Sequence, residues 1–177
     1  MSEYTKEEIY ELVKTSPQKF NEWKADQNEE IDLSECDFSY VTLDGVDFSD
    51  VDLNASSFAD SHLSLVKFNN ADLTAAEFTR ATVLECDFSE ALLPGAECSY
   101  AIIHYCNFTD ADMAGVVFME ADLSNSDFAG SFNMSACRFD EETIWPEAIM
   151  LPEDFDSTCN DDLSSLRDDE DGVSEEY

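Results

Sequence analysis

The chain has 177 residues, enough for one domain with a continuous core, and its 42 acidic against 8 basic residues leave a net charge of −34. That balance excludes the basic footprint that direct nucleic-acid binding needs, and an anionic membrane surface would repel it. No apolar run is long enough to span a bilayer, and Met1-Ser2-Glu3-Tyr4-Thr5 lacks the basic and apolar blocks of a signal peptide, so the expected compartment is the cytoplasm.

Residues 1–30 read as an N-terminal helical cap and link. Thr5 and Glu8 form a capping-box pair ahead of Ile9, Leu12 and Val13. Ser16-Pro17 is a second helix start with proline at the first helical position, and it puts Phe20 and Trp23 on one face. The first coil of a stacked fold exposes apolar side chains, so covering it is the simplest role for this segment. A docking helix for a partner is the alternative.

From Ile31 to Gly130 the chain repeats every five residues. The repeat centres run Leu33, Phe38, Leu43, Phe48 and onward to Leu123 and Phe128, with Cys98 alone not a sizeable apolar residue. A small residue usually stands two positions before each centre, and Asp or another polar residue stands between them. Five is neither the helical nor the strand period, but small, polar and large residues alternating in, out, in make a short strand piece. The two residues that follow, such as Asp44-Gly45 and Asn69-Asn70, suit a turn. Each pentad is one side of a coil. The centres alternate aliphatic and aromatic, so like stacks on like only if the number of sides is even. Two sides enclose no core, and six leave a hollow that Leu and Phe cannot fill at native density. The reading is an all-β, four-sided (quadrilateral) parallel β-helix solenoid over residues 31–151, with 20 residues per coil.

Runs such as Ala71-Asp72-Leu73-Thr74, Cys86-Asp87-Phe88-Ser89 and Ala121-Asp122-Leu123-Ser124 resemble the pentapeptide repeat family. The resemblance implies that the β-helix is right-handed. It also implies a protein partner, since the family includes quinolone-resistance proteins that resemble DNA and occupy the DNA-binding saddle of gyrase. This chain lacks the loops that interrupt the coils in some of those proteins.

After Phe128 the register slips: Met134 follows at a spacing of six, and Phe139, Ile144 and Ile149 resume the fives in an irregular last coil. Ile144, Trp145, Ile149, Met150 and Leu151 are expected to cover the open end or to mate with a second copy, as family members often dimerise there. Residues 152–177 are acidic and Ser-rich and read as a disordered tail.

No phosphate loop, nucleophile elbow or catalytic triad spacing is present. His62 and His104 fall two coils apart on one side, roughly 10 Å, too far to share a metal. A convex rod offers no desolvated cleft, so the reading is a non-enzymatic protein without cofactor or metal. Buried cysteines (Cys36, Cys86, Cys106, Cys137) serve as small hydrophobes, with Cys86 stacked under Cys106.

The outward positions carry the functional candidates. Asp32, Asp52, Asp72 and Asp112 form one vertical column, broken at Leu92. Asp47, Asp87 and Asp127 mark another, with Lys67 and Asn107 between. Corner acids Glu35, Asp44, Asp50, Asp60, Glu85, Glu90, Asp110 and Glu120 add to the field. Residues 31–150 hold 23 acids and 3 bases. Over six coils this is one net charge per ~1.4 Å at strand spacing, against one per ~1.7 Å for duplex DNA. The first reading is a DNA mimic that competes for the basic groove of DNA gyrase or another DNA-binding protein. Acidity serving solubility alone is the competing reading. An apolar patch of Leu84, Ile102, His104 and Tyr105, with Leu65 close by, supports the alternative of a general protein-interaction scaffold.

Overall fold

A computed structural model describes residues 4–153, 155 and 156. Most of the predicted tail, 152–177, lies outside the described residues. Two helices lead: α1 (Lys6–Thr15) and α2 (Pro17–Ala25). The capping box forms, with Glu8 N–H donating to Thr5 Oγ1 and Thr5 N–H to a Glu8 carboxylate oxygen. Pro17 opens α2, but the Ser16 side chain makes no capping hydrogen bond.

The strands are short: β1 (Ile31–Asp32), β2 (Thr42–Asp44), β3 (Val51–Asp52), β4 (His62–Ser64), β5 (Thr82–Leu84) and β6 (Ile102–His104). All pair parallel at an offset of 20 residues, β1 with β3 and β2-β4-β5-β6 in order. Isolated bridges extend the same offset, giving four ladders, named here by their first centres Leu33, Phe38, Leu43 and Phe48. Inside, Phe48, Phe68, Phe88, Phe108 and Phe128 stack ring on ring, at 4.7 Å from Phe68 upward. Phe38, Phe58 and Phe78 form a second stack, which stops where Cys98 takes the next place. Burial pushes the Cys98 thiol far up and the Cys137 thiol up to about 12, so these cysteines stay protonated and act as small apolar groups.

Each pentad satisfies its own backbone. Leu33 N–H donates to Asp52 C=O in the next coil, and Glu35 N–H to Asn54 C=O. Ser57 N–H reaches back to Cys36 C=O, and Cys36 N–H closes the corner on Leu33 C=O. The remaining donor, one position after the centre, is taken by a side chain: Oδ1 of Asp32, Asp52, Asp72 and Asp112 accepts from the N–H two residues on. All twenty corner residues from Glu35 to Gly130 adopt the left-handed conformation, sixteen of them not glycine. Asp44 is therefore not a corner acid as predicted. It sits in β2, and Gly45 turns the corner.

The helices pack on the first coil. Phe20 lies 5.7 Å from Phe48 and Tyr10 lies 5.1 Å from Phe38. Asn21 acts as a strand edge would: its Nδ2 donates to Gly45 C=O and its Oδ1 accepts from Asp47 N–H. Tyr10 Oη donates to Asp37 C=O.

The far end departs from prediction. Bridges Asp112–Phe132, Val117–Arg138 and Asp122–Ile144 have offsets of 20, 21 and 22 residues, so the slip is repeated rather than single. Met134 and Phe139 point inward, but Ile144 is outward and exposed, and Ile149 is 85% exposed. The inward place next to Ile144 belongs to Trp145, whose ring meets Phe118, Phe128 and Phe139. Met150 supplies a carbonyl to Phe128 N–H, and Leu151 packs partly on the core.

Phe88 sits in mid-stack with rings above and below, so Phe88→Ala should lower the unfolding free energy by about 3–5 kcal/mol in a denaturant titration.

Candidate anionic and apolar surfaces

The ladders decide which outward residues are neighbours. Asp47, Lys67, Asp87, Asn107 and Asp127 lie on the Phe48 ladder. Asp32, Asp52, Asp72, Leu92, Asp112 and Phe132 follow one another on the Leu33 ladder. The corner between them carries Asp50, Asn70, Glu90, Asp110 and Gly130. Two acidic columns and their shared corner therefore make one anionic side, with Lys67 the base within it. Sequence reasoning named these corner acids but did not place them between the two columns; the five-residue count alone could have done so.

Stacked like charges repel, and amides interleave to moderate this. Asn70 Nδ2 donates to Asp50 Oδ1 at 2.6 Å, Asn107 Nδ2 to Asp87 Oδ1 at 3.0 Å, and Asn133 Nδ2 to Asp112 Oδ1 at 2.7 Å. At the helical end Lys6 Nζ pairs with Asp32 at 2.8 Å and Lys24 Nζ with Asp47 at 3.3 Å. The Lys6 bond, then the Ser34 hydroxyl, hold Asp32 at about 2, below its ordinary 3.8. Burial works against ionisation of Asp47, but hydrogen bonds from Ser49 and the charge of Lys24 outweigh it and lower its pKa.

The Leu43 ladder differs. Its outward residues within the strands are Thr42, His62, Thr82 and Ile102, and beyond β6 it continues to Asp122, which takes a turn bond from Ser124 N–H, and to Ile144. Here the residue after each centre is paired strand to strand (Asp44 with Ser64, Ser64 with Leu84, Leu84 with His104), so no carboxylate is needed at the preceding position. Ile102, His104 and Leu84 share this face, and the Tyr105 ring meets His104 edge-on at 6.3 Å. His104 is half-buried, with Nε2 2.9 Å from Asp122 Oδ2. Leu65 lies on the same corner column as Tyr105. Tyr100 belongs to this face as well. It stands at the opposite corner of this face, two residues from Ile102 and half exposed.

Parallel strand pieces recurring at a fixed 20-residue offset around a continuous apolar core define a β-solenoid. Residues 31–70, 71–104 and 101–140 match the model of pentapeptide repeats, in eight copies. The chain belongs to the pentapeptide repeat family, and its solenoid is the right-handed β-helix of that family. Its fold is similar to that of Rfr23, a pentapeptide repeat protein of the cyanobacterium Cyanothece 51142, with TM-score 0.61 at 18% identity over 64% of this chain and 90% of that one. QnrB1, a plasmid-mediated fluoroquinolone resistance protein, gives TM-score 0.46 at 20% identity over 78% of this chain and 85% of that one. A pentapeptide repeat protein of the Arabidopsis thaliana thylakoid lumen is 32% identical over 63% of this chain and 66% of its own, with TM-score 0.19. No curated protein sequence matches this chain.

Asn107 performs the turn bond as well as an aspartate does, its Oδ1 accepting from Thr109 N–H at 3.0 Å. Asp72→Asn should therefore leave stability unchanged or slightly raised, whereas Asp72→Ala should cost about 1 kcal/mol by leaving Thr74 N–H without its acceptor. The depressed Asp32 stabilises the fold above its ordinary pKa and loses that contribution as pH falls. The destabilisation caused by Lys6→Met, read from urea midpoints, should accordingly be full at neutral pH, shrink between about pH 4 and pH 2, and vanish below.

Proposed function

We propose that this chain is a non-enzymatic, four-sided β-helix, closed at one end by its N-terminal helices, that binds a basic protein groove in place of DNA. One observation carries the reading. The turn bond at each side needs only an acceptor, and Asn107 supplies one without charge, yet the chain uses aspartate at 32, 47, 52, 72, 87, 112 and 127. Apart from Asp32 and Asp47, which pair with Lys6 and Lys24, the charge on these residues is surplus to the turn bond, and it is gathered on one side. Each carboxylate is held by its turn bond through one oxygen, which fixes the charge in space at steps of about 4.8 Å from Asp32 to Asp72 and about twice that where Leu92, Lys67 or Asn107 intervenes. A fixed anionic array suits a groove built for phosphates, because neither surface has to reorganise on contact.

The partner class is a cytoplasmic DNA-binding protein, with gyrase as the candidate to try first. The C-terminal end, where Ile144 and Ile149 are exposed beside the Trp145 plug, is the candidate face for a second copy.

A DNA-supercoiling assay with gyrase, run across a salt series, tests this. The wild-type chain should inhibit at low salt, and inhibition should fade steeply as salt rises. The triple variant Asp52→Asn, Asp72→Asn, Asp112→Asn, which keeps the turn bonds, should need at least about tenfold more protein for the same inhibition. Equal inhibition by wild type and variant, or none by either, would count for the solubility reading.

A further inference from the structure

The Leu43 face stands apart from the anionic side, and its apolar residues are not scattered. Tyr100, Ile102, Leu84 and Leu65 form an oblique stripe. Tyr100 and Ile102 are two residues apart in one coil. Leu84 pairs with His104, two residues beyond Ile102 but one coil lower. Leu65 follows β4 at the corner one coil lower again. All four are exposed, at 52%, 43%, 37% and 54%, and Tyr105 flanks the stripe at 62%. By strand rise and ladder spacing the stripe is roughly 15–20 Å long. A soluble monomer has little reason to line up large apolar side chains in this way on a surface otherwise so acidic.

We propose that this stripe binds one amphipathic, basic helix of a partner protein. A helix carrying apolar residues at i, i+4, i+7 and i+11 sets them along about 16 Å, which matches the stripe. The stripe is bordered by acids on both flanks. Glu120 and Asp122 lie one coil above Tyr100 and Ile102, and Glu85 separates Leu65 from Tyr105. Asp44 lies one coil below Ser64. Lysines or arginines flanking the apolar face of the helix would meet these carboxylates at the rim, where they add speed and selectivity of association. A second copy of this chain is disfavoured as occupant, because two chains of net charge −34 would have to bring acidic rims together. The surface is distinct from the anionic side, so the chain could hold a helix while its carboxylate columns are engaged.

The test uses the full chain and a fluorescent Leu/Lys peptide of about 18 residues with leucines at helical spacing, against a scrambled peptide of the same composition. Anisotropy titration at physiological salt should show the patterned peptide binding at least about tenfold tighter than the scramble. Ile102→Asp should abolish that preference. Tyr105→Asn should weaken binding at least threefold or so, and because Asn tolerates the left-handed corner its fold should be retained. The triple variant on the anionic side should bind the patterned peptide within about threefold of wild type. Equal binding of the two peptides, or unchanged binding by folded Ile102→Asp, would overturn the proposal. So would a loss confined to the triple variant, which would assign the contact to the carboxylate columns. Competition for a DNA-binding groove should be unaffected by Ile102→Asp, so either reading can fail without the other.

Discussion

The structure depends on the corner. Every fifth residue from Glu35 to Gly130 takes a left-handed backbone, and this turns the chain often enough for residue n to meet residue n+20. Such a conformation costs an ordinary residue on the order of 1 kcal/mol or more, and sixteen of the twenty corners are not glycine. Two gains offset the cost. The corner N–H is aimed at a carbonyl of the next coil, and the side chains two before and at each centre are delivered into a common interior. Without the stacked rings of Phe48 to Phe128, nothing would hold residues such as Leu65, Arg80 or Tyr100 in that backbone.

The same backbone accounting explains where acids are required and where they are optional. On three ladders the residue after the centre lacks a strand partner, and at positions such as Asp32, Asp37 and Asp47 a side-chain oxygen two residues back accepts its N–H. On the Leu43 ladder the strands are one residue longer and pair that position directly, and there the preceding residues are Thr, His, Thr and Ile. The difference between an anionic side and an apolar one thus begins as a local hydrogen-bonding difference. It widens because the chain uses the charged acceptor where the neutral one also works.

The two ends solve one problem in different ways. At the start, helices bring Phe20 and Tyr10 onto the first rings, and Asn21 mimics a strand edge with one side chain. These bonds occupy backbone positions at Asp37, Gly45 and Asp47 that an added strand would use. At the finish, extra residues enter side by side within the last coil until the regular ladder gives out, and Trp145 turns its ring across three phenylalanines.

The period of five, with aliphatic and aromatic centres in alternation, was enough by itself to determine a stacked four-ladder solenoid. It also determined the columns of aspartates, while the Thr5–Glu8 capping box and Ser16-Pro17 determined the two helices and composition the overall anionic character. These are local or periodic properties, and they survive any detail of packing. Tertiary structure decided what spacing leaves open. It inserted one residue at a time beyond Phe128, sending Ile144 outward and Trp145 inward, because the chain there no longer repeats and only contact with Phe118 and Phe139 sets its direction. It placed Tyr100 beside Ile102, since a corner residue belongs to two sides and its neighbours follow from how the coils stack. It also gave each aspartate of the two columns a turn to hold, which no count along the chain reveals: that bond exists only once the backbone has bent to bring the N–H within reach.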